Sequence, residues 1–216
     1  MPNQTKDILS IRNDYQLKHL TKNHLKPDPI QQFNKWMKEV LTADISEPNA
    51  MILSTVGKTG TPSARVVLLR EVNHEGFIFY SNYLSKKGNQ IEHNNQVSLT
   101  FFWKEIERQV RIEGKANIID IEKSDKYFAS RPLDSQIGAI VSPQSSPIPS
   151  RQYLTELFST FKKKNTDKTI QRPDHWGGYL VKPDMIEFWQ GRPNRLHDRI
   201  AYYRKKDHWE MVRLAP

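Results

Sequence analysis

Three basic residues near the C-terminus, Arg195, His197 and Arg199, lie two positions apart. On a β-strand this spacing places side chains on one face. Like charges held side by side repel one another unless an anion or an electron-rich ring lies against them. The aromatic residues Tyr202 and Tyr203 follow, so the basic face would lie in an apolar setting. The pattern favours a site for a phosphorylated or carboxylated ligand over a solvated charged strand.

A second group of cations follows Ser85, which can cap a short helix that begins with Lys86 and Lys87. Cations at a helix N-terminus oppose the helix dipole. A phosphate bound there would remove the conflict, because the backbone N–H groups of the first turn also point at it.

Further residues suit a planar heterocycle, which needs hydrogen-bonding groups at its edge and apolar groups on its faces. Arg65 and Arg70 have an odd separation, so on one strand they would face opposite sides. Each candidate taken alone is explained by a structural role. Together they favour a phosphorylated heteroaromatic cofactor, with edge and face groups at Gln109, Gln144, Ser145 and Trp189.

The composition argues against several classes of function. The 216-residue chain has no cysteine, and its seven histidines show no metal-ligand spacing. The net charge is +9, but the basic residues are spread along the chain, which favours small phosphorylated ligands over nucleic acid. No apolar run reaches the length of a membrane span and no signal peptide is recognisable, so we expect a cytoplasmic protein without membrane contact.

The period of the apolar residues predicts mainly antiparallel strands with a few helices. Asp28 and Pro29 are typical of a helix N-terminus, and apolar residues recur at helical spacing to about Asp44. From residue 50, short apolar runs alternate with turns. We predict strands at 51–56, 64–72, 77–81, 97–103, 108–119, 178–181, 185–190, 195–203 and 208–214, and helices at 86–93, 121–130, 133–141 and after Ser150. This is a small β-barrel with peripheral helices, in the β or α+β class.

The usual motifs of hydrolytic catalysis, G-x-S-x-G and H-E-x-x-H, do not occur. Without a protein nucleophile, a bound redox cofactor is the simplest source of chemistry. The residues alone thus lead to a phosphate-bearing cofactor and ligand in a β-barrel, without naming either.

Nine short segments together resemble the pyridoxamine/pyridoxine 5'-phosphate oxidase family, in the same order and over nearly the whole chain. They are RVVLLR (65–70), FYSN (79–82), SKK (85–87), ERQ (107–109), YFASRPLDSQIG (127–138), SPQSS (142–146), EFWQG (187–191), RLHDR (195–199) and RLAP (213–216). Any one of them is a weak signal, whereas their joint occurrence is highly specific.

The resemblance implies an antiparallel split β-barrel with peripheral helices, classed as mainly β (α+β), that works as a homodimer with FMN between the subunits. The implied reaction, part of vitamin B6 metabolism, oxidises pyridoxamine 5'-phosphate or pyridoxine 5'-phosphate to pyridoxal 5'-phosphate and reduces O2 to H2O2. Residues 1–26 are polar and lack periodicity, so we expect a mobile arm there and a single FMN-binding domain at 27–216.

The same resemblance implies roles residue by residue, with Arg195 and His197 as the catalytic pair. FMN contacts are implied at Arg65, Val66, Val67, Leu68, Leu69, Arg70, Tyr80, Ser81, Lys86, Lys87, Gln109, Gln144, Ser145, Trp189 and Arg199. Substrate contacts are implied at Arg12, Asn13, Asp14, Tyr15, Arg70, Tyr127, Arg131, Ser135, Arg195, Leu196 and His197. Because Tyr127, Arg131 and Ser135 recur every four residues, on one helix they would share a face that holds the substrate phosphate.

Two positions depart from the family pattern. Arg70 stands where lysine is common, and Lys86 stands where the first residue of an Arg-Lys pair is usual. Positive charge is kept at both, but the planar fork of arginine is gained at one and lost at the other. Neither change touches the redox step.

Three alternative functions are weighed against the oxidase. A non-catalytic split-barrel protein that binds flavin or pyridoxal phosphate would not need both Arg195 and His197. An NAD(P)H-dependent flavin reductase would not need the phosphate face with Arg131. A nucleic-acid-binding barrel would show steep salt-dependent binding to DNA.

Overall fold

The computed structural model describes residues 14–165 and 169–216. Within these ranges the strands form one antiparallel sheet, made of β1 (Ala50–Val56), β2 (Pro62–Leu68), β3 (Glu71–Asn73), β4 (Gly76–Asn82), β5 (Gln96–Trp103), β6 (Arg108–Ile118), β7 (Trp176–Gln190), β8 (Asp198–Arg204) and β9 (Trp209–Leu214). The helices are α1 (Pro29–Thr42), α2 (Lys86–His93), α3 (Ile121–Ser130), α4 (Leu133–Val141) and α5 (Arg151–Lys164). The predicted mainly-β split barrel with peripheral helices is confirmed. None of these helices has the length and apolar character needed to cross a membrane.

The sheet has the strand order β2-β1-β5-β6-β7-β4-β3, and β8 pairs with β7 outside this order. The long strand β7 is therefore the strand from which the sheet branches. One edge of β7 pairs with β6. The other edge pairs with β4 from Trp176 to Val181 and with β8 from Met185 to Gln190. Pro183, which cannot donate a ladder hydrogen bond, lies between these two partners at a register shift. The sheet therefore splits at Pro183, and the two ends of β7 serve different branches.

Helix α1 packs its apolar face against the inside of the curled sheet. Phe33 meets Phe77 edge-on with ring centroids 4.9 Å apart, and Trp36 meets Phe188 at 5.0 Å. The helix begins after Asp28, whose carboxylate accepts backbone N–H bonds of the first turn. The predicted helix is therefore confirmed, and it supplies the large apolar side chains that the barrel interior needs.

Two of the predicted strands have different bounds. The predicted strand 64–72 is interrupted after Leu68, because Leu69 enters the core and the chain turns before β3 begins. The predicted strands 178–181 and 185–190 are one strand, since the chain stays extended through Pro183.

The predicted basic face of a strand 195–203 is wrong. Asn194 and Arg195 adopt left-handed backbone conformations, with φ of 56° and 60°, in a short 3-10 turn. Strand β8 begins only at Asp198. Arg195 and His197 therefore precede the strand, and only Arg199 is a strand residue.

The predicted helix face of Tyr127, Arg131 and Ser135 is also wrong. Helix α3 ends at Ser130, and Arg131 is extended with φ −75° and ψ 150°. Pro132 explains the break, because the residue before a proline is disfavoured in the helical region. The helix resumes as α4, so Ser135 lies on a different helix from Tyr127.

Residues 14–26 run along the barrel. Leu20 and Leu25 are buried, and the backbone N–H of Leu20 donates to the Asp198 carboxylate at 3.0 Å. The Tyr202 hydroxyl donates to the carbonyl of Lys26 at 2.7 Å. The expectation that residues 1–26 form a mobile arm, separate from a domain at 27–216, stays a prediction.

Candidate cofactor and substrate site

A polar cavity of about 310 Å³ lies beside β2 and β4 and beneath the junction of α3 and α4. The residues that line it are Arg65, Val66, Val67, Leu68, Arg70, Tyr80, Ser81, Lys87, Tyr127, Arg131, Gln144 and Trp176. All except Trp176 are candidate site residues from the sequence. The structure thus brings together residues that are more than a hundred positions apart in the chain.

Positive charge dominates this cavity. Four of its lining residues are cations, and no carboxylate of the described residues lines it. Within the described ranges, none of Arg65, Arg70, Lys87 and Arg131 forms an ion pair. Such a group of cations is stabilised by an anion, so the cavity suits a phosphate-bearing ligand.

Lys87 is held in the cavity wall by neutral groups. Its Nζ donates to Gln144 Oε1 at 2.6 Å and to Ser85 Oγ at 3.3 Å. Burial, and then the positive charge of Arg65, lower the pKa of Lys87 to about 8. As predicted, Ser85 caps α2, with its Oγ accepting from the backbone N–H of Gly88.

The guanidinium groups of Arg65 and Arg131 are oriented in different ways. Arg65 Nη1 donates to Thr55 Oγ1 at 2.6 Å and to the carbonyl of Leu53 at 3.0 Å. Arg131 lies over the Trp176 ring at 4.7 Å from its centroid, and its buried Nη1 has no hydrogen-bond partner in the described part of the chain. Burial lowers the pKa of Arg131, and nearby Arg70 acts in the same direction. The Nη1 donor of Arg131 is therefore unsatisfied within the described chain.

Arg65 and Arg70 line the same cavity, so the prediction that they serve opposite sides of one strand is wrong. The alternation ends where Leu69 turns into the core with 7% of its surface exposed. Its backbone N–H bonds to the carbonyl of Asn49 at 2.8 Å, and the next N–H bonds to the carbonyl of Ile78 at 2.9 Å. This kink returns Arg70 to the side of Arg65.

Stacked aromatic rings form one wall of the cavity. Tyr80 stacks on Tyr127 with centroids 3.8 Å apart, and Trp176 lies parallel to Tyr80 at 5.5 Å. Burial is the main cause that raises the pKa of Tyr80 to about 12, so its hydroxyl is neutral at physiological pH. The wall offers aromatic faces and hydroxyl groups beside the cations.

A second cluster of candidate residues lies on the other branch of the sheet. Gln109, Trp189 and Arg199 are register partners across β6, β7 and β8. The His197 ring lies 4.7 Å from Trp189, and its Nδ1 accepts the backbone N–H of Arg192 at 3.1 Å. Burial, and then the charge of Arg195, lower the pKa of His197.

The N-terminal segment covers this second cluster. The Tyr15 ring meets Trp189 edge-on at 5.6 Å and His197 at 5.7 Å. Gly191 allows the approach, since a Cβ there would lie only 2.7 Å from Cγ of Tyr15. The backbone N–H of Leu17 anchors the segment by donating to the Glu107 carboxylate at 3.0 Å.

The two clusters lie at opposite ends of β7. Trp176 begins this strand and lines the cavity, whereas Trp189 stands next to its end. The strand has 15 residues, which is roughly 50 Å of extended chain. None of Gln109, Trp189, Arg195, His197 and Arg199 lines the cavity. The candidate residues of one chain therefore form two separate clusters.

The other candidates are distributed around these clusters. Lys86 and Ser145 line a neighbouring cavity of about 480 Å³ that shares Gln144 with the first. Leu69 is in the core, Ser135 is half-buried on α4, and Asp14, Arg195 and Leu196 are exposed. Arg12 and Asn13 lie outside the described residues.

Glu187 is a site residue that sequence reasoning missed. Its carboxylate is 3% exposed and accepts from Arg199 Nε at 2.8 Å and Nη2 at 3.0 Å. Arg111 Nη1 donates to the same carboxylate at 3.3 Å. The hydrogen bonds to Glu187 raise the pKa of Arg199. An acidic residue within an apolar strand run was the only sequence signal for this role.

A curled antiparallel sheet that splits along one strand defines a split β-barrel protein. The chain belongs to the pyridoxamine 5'-phosphate oxidase family, which is a family of flavin-binding proteins. The family description "Pyridoxamine 5'-phosphate oxidase" matches residues 37–159, and "Pyridoxine 5'-phosphate oxidase C-terminal dimerisation region" matches residues 176–216. The resemblance drawn from the nine sequence segments is therefore confirmed.

Relatives of the chain agree with this assignment. Proteins named "Pyridoxine/pyridoxamine 5'-phosphate oxidase" from Haemophilus influenzae and Cyanothece are 50% and 46% identical, over 97% and 98% of this chain and 100% of theirs. The crystal structure of PhzG from Burkholderia lata, in complex with tetrahydrophenazine-1-carboxylic acid, superposes with a TM-score of 0.87 at 26% identity, covering 93% of this chain and 99% of PhzG. An FMN-binding protein from Nostoc punctiforme shares the fold, with a TM-score of 0.71 at 15% identity over 85% of this chain and 97% of that one.

We expect Glu187→Gln to lower the free energy of unfolding by about 1.5–3 kcal/mol, because it removes a buried charged acceptor from two arginines. Urea denaturation measures this change. The matched control is Glu113→Gln, which also removes a partner of Arg111, at 2.7 Å, but is about half exposed. The control should cost less than about 1 kcal/mol. Equal decreases in the free energy of unfolding of the two variants would contradict the view that the buried Glu187 carboxylate holds the two arginines of this cluster in place.

Proposed function

We propose that the protein oxidises pyridoxamine 5'-phosphate or pyridoxine 5'-phosphate to pyridoxal 5'-phosphate, with FMN as cofactor and O2 reduced to H2O2. The observation that carries the proposal is the cavity in which four cations meet no carboxylate of the described chain. The names of the relatives at 46–50% identity support the same reaction. The cytoplasmic location stays a prediction from the sequence.

The residues of the cavity fit a phosphorylated flavin. Arg65 and Lys87, oriented by Thr55 and Gln144, would hold the phosphate of FMN, with Lys86 at the neighbouring rim. Their partners in the described chain are neutral, so no carboxylate there competes with the phosphate for either side chain. FMN, when bound, supplies the two-electron acceptor that the protein's own side chains lack.

A second phosphate, that of the substrate, would be held by Arg131 and Arg70. The buried Nη1 of Arg131 lacks a partner in the described residues, which is the arrangement expected of a donor reserved for a ligand. Tyr127 lines the same cavity and offers a hydroxyl group. Two phosphate groups in one cavity account for four cations better than one phosphate does.

The catalytic pair would reach the cavity from a second copy of the chain. Arg195 and His197 lie on the other branch of the sheet, in the region 176–216 that matches the family's dimerisation region. A symmetric homodimer brings the second cluster of one chain to the cavity of the other, twice. We infer that the functional unit is this homodimer.

His197 is prepared to donate a hydrogen bond to the substrate. Because Nδ1 accepts from the Arg192 backbone, the neutral ring carries its proton on Nε2. The lowered pKa keeps the ring neutral near pH 7. Arg195, exposed in the single chain, would place its guanidinium beside the pyridine ring and stabilise negative charge that develops there. Most of the rate gain would come from orientation of the substrate against the cofactor.

Anaerobic reduction tests the reaction directly. We expect a yellow protein whose flavin absorbance is bleached by pyridoxamine 5'-phosphate and restored by O2, with release of H2O2. NADPH under the same conditions should leave the absorbance unchanged. Bleaching by NADPH alone would identify a flavin reductase, and no bleaching by either compound would identify a non-catalytic flavin carrier.

Heterodimers test whether each site is divided between two chains. Arg195→Ala should lower turnover far more than FMN content, whereas Lys87→Ala should mainly weaken FMN retention. A dimer of one Arg195→Ala chain and one Lys87→Ala chain, purified through two different tags, has one site with both changes and one with neither. It should keep about half of the wild-type activity, since a two-fold symmetric dimer has two equivalent sites. The assay uses an FMN concentration that leaves the Lys87→Ala homodimer without cofactor. Activity near zero under that condition would mean that one chain supplies both residues to each site.

The affinity for FMN should fall as the pH rises through about 8, the lowered pKa of Lys87 in the ligand-free protein. A bound phosphate keeps the lysine charged, so deprotonation of the free protein opposes binding. Between pH 7 and pH 9 the dissociation constant should rise about tenfold. Flavin fluorescence titrations measure it. Lys87→Arg provides the control, because its guanidinium stays charged and should remove this dependence.

A further inference from the structure

Trp176 lines the cavity but is not among the residues to which the family resemblance implies a role. It is 6% exposed and stands at the start of β7, where it pairs with Asn82 of β4. One face of its ring lies 4.7 Å from the guanidinium carbon of Arg131. This contact is the only one within cation–π range that joins β7 to a cation of the cavity in the described structure.

Arg131 depends on this contact because its own backbone gives it little support. The residue follows the last turn of α3 and is extended before Pro132, so no helix fixes its side chain. It has no ion pair among the described residues, and Nη1 is buried without a partner. Phe128 is the other nearby ring, at 6.0 Å, which is the outer limit of a cation–π contact.

The indole is itself held rigidly. Phe128 packs against it edge-on at 5.3 Å, and Tyr80 lies parallel to it. The backbone of Trp176 donates to the carbonyl of Pro173 at 3.0 Å and accepts from Arg172 Nη1 at 2.6 Å. A ring fixed on several sides can fix the guanidinium above it.

A ring face and a carboxylate hold an arginine with different consequences. Glu187 binds Arg199 through two hydrogen bonds, which occupies its donors and neutralises its charge. The Trp176 ring attracts the guanidinium through its quadrupole and leaves the N–H groups in the plane free. Arg131 is thereby oriented without giving up a hydrogen-bond donor or its charge to the residue that holds it.

We propose that Trp176 is the positioning residue for Arg131 and that this pair sets the preference for phosphorylated over unphosphorylated pyridine substrates. The proposal rests on the proposed function for the identity of the substrate. It extends that function by assigning the selectivity for the phosphate ester to the ring of Trp176 at the start of β7, which lies beneath Arg131. Without the Trp176 ring, the Arg131 guanidinium would lose conformational freedom on binding, and this cost would weaken the complex with the phosphorylated substrate.

The test compares two substrates that differ only in the phosphate. For each variant, kcat/KM is measured with pyridoxamine 5'-phosphate and with pyridoxamine, and the ratio of the two values is the readout. Trp176→Leu should lower this ratio about tenfold and Trp176→Phe about threefold, since phenylalanine keeps a weaker aromatic face. Trp103→Phe is the matched control: Trp103 is buried at 2% exposure, outside the cavity, and its loss should leave the ratio unchanged.

A double-substitution cycle separates positioning from a general packing effect. In an Arg131→Gln background, Trp176→Leu should change the ratio no further, because the cation that the ring orients is gone. A further tenfold fall in that background, or an unchanged ratio in Trp176→Leu itself, would overturn the proposal.

Equilibrium dialysis distinguishes failure of the proposal from failure of the proposed function. The wild-type protein should bind pyridoxal 5'-phosphate more tightly than pyridoxal, and Trp176→Leu should reduce this preference by the same factor of about ten. If the wild type oxidises neither substrate but the preference falls as expected, the oxidase function is wrong and the role of Trp176 stands. If oxidation proceeds and the preference is unchanged, the role of Trp176 is wrong.

Discussion

Uncompensated positive charge in a partly buried cavity is the constraint on which the rest of this structure depends. Lys87, Arg65 and Arg131 are held by an amide, a hydroxyl, a carbonyl and an aromatic face, none of which carries charge. Every such partner fixes geometry and leaves the cation unneutralised. The fold must therefore be stable in spite of this repulsion, and the apolar contacts of α1 with the barrel provide that stability.

The second cluster follows the opposite logic. There the buried carboxylate of Glu187 pairs with both Arg199 and Arg111, and Glu113 also pairs with Arg111, so two carboxylates face two guanidinium groups before any ligand arrives. Trp189 and His197 lie beside this network, and Tyr15 covers them. One branch of the sheet thus holds cations that have no carboxylate partner in the described chain, whereas the other holds two of its arginines in ion pairs beside Trp189 and His197. Pro183 marks the boundary between the two on a single strand.

Much of this architecture could be predicted from the sequence, because the spacing of apolar residues and the residues that cap helices can be read from short stretches of chain. Asp28, Ser85 and Ser150 all cap the helices that were predicted to follow them. The errors arose where one residue redirected the chain. Pro132 broke a presumed helix face, Leu69 turned into the core between two arginines, and the left-handed turn at Asn194 and Arg195 removed the basic strand face.

Two contributions could not be predicted because they are properties of distant pairs. Trp176 contacts Arg131 through its ring face, and Glu187 forms ion pairs with Arg199 and Arg111. No short sequence pattern indicates either contact, because the partners are far apart in the chain. Eleven of the cavity's twelve lining residues were nevertheless candidates, since the family segments carry them as contiguous blocks. Resemblance therefore identified which residues meet, while the structure shows how each is held.

The placement of the two clusters at opposite ends of β7 has a thermodynamic consequence. If a flavin is bound only where two chains meet, then cofactor binding and subunit association are linked, and each strengthens the other by the same free energy. Chains diluted far below the dissociation constant of the dimer would release cofactor as they separate. Abundant flavin would conversely hold together a pair whose protein contacts alone are weak. The supply of the cofactor would then govern how much of the assembled protein exists.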